Sequence, residues 1–99
     1  MTDVLELPAV LDIVAAHGML EAVNARRGCA LTMDAGAVQR LGAQCLQILL
    51  AARAAWEADE VELRLENLSS EFSAALELMG VLPEELVNHV LTKDKELAA

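Results

Sequence analysis

The chain has 99 residues, 56% of them apolar and 23% charged, with 16 acids against 7 bases and a formal net charge of −9. A folded chain of about 100 residues hides roughly two-thirds of the surface that its unfolded form exposes, so one domain over residues 1–99 is expected, with no room for a second. The acidity opposes the counterion release that drives binding to nucleic acid or an anionic membrane, and the longest apolar runs, such as residues 48–52, fall far short of the ~20 residues of a spanning helix; neither nucleic acid nor direct membrane insertion is expected.

In chain order, Val4-Leu5-Glu6-Leu7 reads as a short strand that Pro8 stops, because proline cannot donate a ladder hydrogen bond. Val10-Leu11 adds a brief extended piece. Asp12 offers an N-cap oxygen to a helix whose Ile13, Ala16, Leu20 and Val23 recur at helical spacing as its inward face, with Arg26, Arg27 and Gly28 at its end and Gly18 weakening its middle. Cys29–Met33 has no strongly polar face and suits an interior strand, which Asp34-Ala35-Gly36 breaks. Ala43–Ala58 is the clearest helix, with Leu46, Leu49 and Leu50 as its core stripe. The opposite stripe, Ala43, Gln47, Ala51, Ala54 and Ala58, is small and mostly uncharged. Such a surface has little side-chain entropy to lose on docking, although alanine is also simply the best helix former.

Val61, Leu63 and Leu65 alternate with Glu62, Arg64 and Glu66, which predicts a strand wet on one face near a sheet edge. Asn67-Leu68-Ser69 turns the chain. Ser69 or Ser70 caps a helix that points Phe72, Leu76 and Met79 inward and ends at a left-handed Gly80. Pro83, Glu84 and Glu85 start a terminal helix running through Leu86, Val87, Val90 and Leu91 to Lys93 and Lys95, with residues 96–99 fraying. The order β-α-β-α-β-α-α predicts an α/β fold built on a single open, mainly parallel sheet with right-handed crossovers.

Few side chains offer chemistry. Residues 1–53 hold five acids and four bases, residues 54–99 eleven acids and three bases, so the C-terminal half presents an acidic surface that favours solubility or steers toward a basic partner. Cys29 and Cys45 lack the nearby Cys or His companions of a zinc site and are expected as buried free thiols. His17 and His89 belong to no paired-histidine motif, and no nucleophile, base and orienter assemble around either. Neither a Gly-x-Gly-x-x-Gly nor a Gly-x-x-x-x-Gly-Lys run occurs, so no cofactor is expected. Asp34, Arg40 and Gln44 are the one polar set near strand ends that suits a small ligand or an enzyme, though Asp34 before a glycine turn reads more readily as a turn former. Asp3 and Glu6 stand where a secretory signal would carry Lys or Arg, which predicts a cytoplasmic protein.

The segment from Leu31 through Leu50, with Leu-Gly-Ala-Gln-Cys-Leu-Gln-Ile-Leu-Leu at its end, together with Val61–Leu65, Ser69–Phe72 and Leu76–Val81, resembles the STAS domain, the fold of sulfate-transporter tails and anti-sigma-factor antagonists. The resemblance covers nearly the whole chain. In phospho-regulated members, an acidic residue and then a Ser or Thr stand at the start of the helix after the second main strand; those places look like Gly42 and Ala43 here. Phosphate at such a position adds nearly two negative charges on a surface the partner must cover, and alanine has no oxygen to carry it. Thr32 lies in a strand, and Ser69, Ser70 and Ser73 sit where helix capping explains them.

The resemblance therefore implies a non-catalytic, regulatory adaptor in bacterial signal transduction, of the stand-alone type and chemotaxis-associated, whose docking is not phospho-switched. Val38, Arg40, Gly42, Ala43, Gln44 and Gln47 are the residues it implies for the partner-binding patch. The alternative is a cytoplasmic accessory subunit of an ABC-type lipid transporter. The partner is accordingly a kinase, a signalling protein or a transporter ATPase, and a homodimer stays open.

Overall fold

A computed structural model describes residues 3–87. It contains β1 (Asp3–Glu6), β2 (Val10–Leu11), α1 (Ile13–Asn24), β3 (Leu31–Asp34), β4 (Arg40–Leu41), α2 (Ala43–Ala58), β5 (Leu63–Glu66), α3 (Ser70–Leu78) and a 3-10 turn at Pro83–Leu86. The expected His89, Val90, Leu91, Lys93 and Lys95 lie outside the described residues, as does the expected fraying of 96–99.

The fold is α/β with parallel pairing, as the order of elements predicted. β1, β3 and β5 form a sheet in the order β1-β3-β5, both pairs parallel, with Asp3, Leu31 and Leu63 in register at one end and Glu6, Asp34 and Glu66 at the other. Leu31, Thr32 and Met33 of β3 are all buried, which fits a central strand covered on both faces. β5 buries Leu63 and leaves Glu66 in water, the edge pattern expected of it.

One part of the expectation needs correction: the strands do not make a single ladder. Pro8 ends β1, and the chain then pairs again as β2 with β4, a segment the sequence did not flag, in a separate two-stranded parallel ladder with Val10 opposite Arg40 and Leu11 opposite Leu41. The Gly42 amide extends it by donating to the Leu11 carbonyl at 2.8 Å.

Helix ends follow local chemistry. Asp12 accepts from the Val14 and Ala15 amides at 3.1 Å each and so caps α1. Ser69 caps α3 by accepting from the Phe72 amide and also donates to the Val38 carbonyl. Gly80, at φ +76, closes α3: the Val81 amide returns to the Leu76 carbonyl at 2.9 Å and the Gly80 amide to Glu77 at 3.1 Å. The same pair of bonds closes α2, from Val61 to Trp56 at 3.1 Å and from Glu60 to Glu57 at 3.1 Å, but here the left-handed residue is Glu60 at φ +59. Val61 is thereby spent on the helix end, so β5 begins at Leu63 rather than at Val61.

The core joins Leu7, Leu31, Met33, Leu49, Trp56 and Phe72, each at most 2% exposed. Leu46 and Leu49 face inward as predicted, so Leu46→Ala, at a side chain 7% exposed, should lower stability by about 2–5 kcal/mol in urea melts. A loss well under 1 kcal/mol would contradict this packing of α2.

The inward face of α1 differs from the expected one. Met19 and Val23 are buried and Ala16 packs against the core, whereas Ile13 is 67% and Leu20 43% exposed. Twelve residues that are apolar nearly all round give a weak periodicity, and the contact with α2, not the pattern, decides the rotation.

Candidate functional site

The start of α2 is held from beneath and bare above. Gly42 is its N-cap residue, in extended backbone at φ −96 and ψ 170, and supplies no side-chain cap; the first turn carries no acid. Cys45 is fully buried, its thiol reaching the Asp12 carbonyl at 3.4 Å, so the N-termini of α1 and α2 lie side by side. Burial first, and then the negative charge of Asp12, pushes the Cys45 thiol above its ordinary pKa.

Cys29, expected buried, is exposed. Gly28 at φ +88 turns the chain outward before β3 begins, and only the Cys29 carbonyl faces in, accepting from the Trp56 indole at 2.7 Å. A native-state thiol titration should therefore find Cys29 reacting at once and Cys45 only after denaturant, since the thiolate is the reactive form. Two equally fast thiols would overturn the burial of Cys45.

Five of the six expected patch residues reach solvent. Arg40, Ala43, Gln44 and Gln47 are exposed and Gly42 half-buried, and the small stripe of α2 runs on through exposed Ala51, Ala54 and Ala58. Val38 is corrected: at 1% exposure it belongs to the core. It braces the loop before β4 through its hydrogen bond with Ser69 and offers a partner nothing. A shallow recess of about 300 Å³, lined by Leu11, Asp12, Arg40, Leu41 and Gly42, opens beside the patch.

Sequence reasoning missed the neighbours of this patch. Val10, at 38%, and Val14, at 83%, are exposed next to Ile13, which the helical spacing had placed on the inward face. Asp12 as N-cap places Ile13 and Val14 in the first turn of α1, and phasing that helix on Met19 and Val23 would have put both outside.

The polar set Asp34, Arg40 and Gln44 does not converge. Asp34 accepts from the Gly36 amide at 2.9 Å and from the Asn67 side-chain amide at 3.1 Å, which makes it a turn former. A Cβ at Gly36 would approach Asp34 Oδ1 at 3.1 Å and the Asn67 carbonyl at 3.3 Å, so a side chain there would have to push one of them back by a few tenths of an ångström. This turn lines a separate recess of about 380 Å³ with Glu6, Leu7, Gly36, Ala37 and Asn67, away from Arg40. Among the described residues, no group of three or more His, Cys, Asp or Glu is placed to hold a metal ion, and no helix is long and apolar enough to cross a membrane.

A family model described as "Mlab, STAS domain" matches residues 1–87. No curated protein matches the chain.

Proposed function

We propose, because the chain belongs to the STAS domain family, that it is a non-catalytic regulatory adaptor which docks a protein partner through the start and exposed face of α2. Domains of this family are generally binding and regulatory modules that interact with protein partners. The single observation that carries the docking face is the continuous exposure of Arg40, Ala43, Gln44, Gln47, Ala51 and Ala54. The alanines of that face have no side-chain entropy to lose when covered. With Gly42 and Ala43 where phospho-regulated relatives carry an acid and a hydroxyl, docking is constitutive or controlled by the partner. On this reading the chain is cytoplasmic and works in a bacterial signalling pathway, with a kinase or chemotaxis protein as the partner.

A second reading keeps the family and changes the partner: an accessory subunit of an ABC-type lipid transporter, docking its ATPase. Both readings use the same face. A tagged pull-down with mass spectrometry, run beside the Ala43→Glu variant, separates them by the identity of whatever the variant loses: a signalling protein or a transporter ATPase. A partner retained undiminished by the folded variant would remove the docking face itself.

A further inference from the structure

We infer that the partner meets this face with a protein segment carrying an Asp or Glu carboxylate flanked by apolar side chains, the carboxylate pairing with Arg40 and the apolar groups covering Val10, Ile13 and Val14. The inference rests on the reading of the α2 start as the docking site and adds the chemistry of what docks there.

Three large apolar side chains stay exposed within residues 10–14: Val10 at 38%, Ile13 at 67% and Val14 at 83%. They adjoin the α2 start because Gly42 bonds to Leu11 and Cys45 to Asp12 across the two helix N-termini. Val10 and Arg40 are direct partners in the parallel β2–β4 ladder, and side chains in register share a side, so an exposed valine stands beside an exposed arginine.

Charge selects the occupant. Among the described residues every other arginine is paired: Arg26 with Asp3 at 3.2 Å, Arg27 with Asp59 at 2.9 Å, Arg53 with Glu57 at 3.8 Å and Arg64 with Glu62 at 3.4 Å. Among the described residues Arg40 forms no ion pair, in a chain of net charge −9. The acid that shares its recess, Asp12, is engaged by the amides of Val14 and Ala15. An unpaired guanidinium beside an aliphatic patch complements a carboxylate set among apolar groups, and it would repel a basic segment. A second copy of this chain is the weaker fit, because two such patches facing each other bring like charges together.

The test places a photo-crosslinking residue at Val14 in cells that make the chain. The crosslinked protein is then purified and titrated with the wild type, Arg40→Glu and Ala43→Glu, each checked for folding by circular dichroism. Arg40→Glu should weaken binding about tenfold or more, and reversing one carboxylate of the partner's crosslinked segment to Lys should restore it for that variant alone. Arg40→Glu binding as tightly as the wild type, with Ala43→Glu defective, overturns the charge assignment and leaves the docking face standing. Both variants binding normally overturns the docking face too. A crosslink only to a second copy of the chain, or none at all, overturns the inference.

Discussion

Trp56→Ala should destabilise the domain by about 3–5 kcal/mol, the largest loss expected from a single side chain here. Trp56 is fully buried, and its indole nitrogen donates to the Cys29 carbonyl at 2.7 Å. Truncation therefore opens a cavity in the core and also leaves an acceptor unmet at the turn that feeds β3. Against a total stability of about 5–15 kcal/mol for a small domain, that loss brings the variant close to unfolding at 37 °C. Urea melts followed by circular dichroism measure it, and Trp56→Phe, which keeps most of the volume but loses the hydrogen bond, worth about 1 kcal/mol, should cost less than Trp56→Ala. A loss below about 1 kcal/mol for Trp56→Ala would contradict its place in the core.

The second large effect falls on binding and spares the fold. Ala43→Glu should weaken partner binding by about a hundredfold or more, near 3 kcal/mol, because a carboxylate placed in a closing interface must be desolvated without a partner of its own. Folding should be unchanged or slightly improved. Position 43 is exposed, the first turn of α2 carries no acid, and Gly42 offers no side-chain cap, so a negative charge there meets the unopposed positive end of the helix. A variant that loses binding by unfolding would be recognised by a fall in its urea midpoint.

Much of the architecture is legible where a residue has a single physical meaning. Pro8 stops a strand, Asp12 and Ser69 cap helices, and Gly80 ends α3 in the left-handed conformation that glycine favours. The end of α2 uses the same hydrogen-bond geometry with Glu60 in the glycine's place, so nothing in the letters marks where the helix stops, and the expected strand starts two residues early. β4 is too short for any pattern, and its pairing with β2 is a tertiary event.

The candidate site divides along the same line. The bare stripe of α2 is readable because its leucines fix the phase and leave the alanines outside. Val38 sounds like a surface neighbour in sequence, yet the bond from Ser69 to its carbonyl ties that loop onto α3 and buries it. The exposure of Ile13 and Val14 is hidden because almost every position of α1 is apolar. Cys29 misleads for a related reason: its apolar neighbours belong to the strand, while Gly28 sends its own side chain outward.

Docking through the face of α2 is tested most directly by the affinity of the captured partner for the wild type and for Ala43→Glu at matched stability. A hundredfold loss with unchanged urea midpoints is the predicted result. Equal affinity for the two folded proteins would contradict it and place the binding surface elsewhere on the domain.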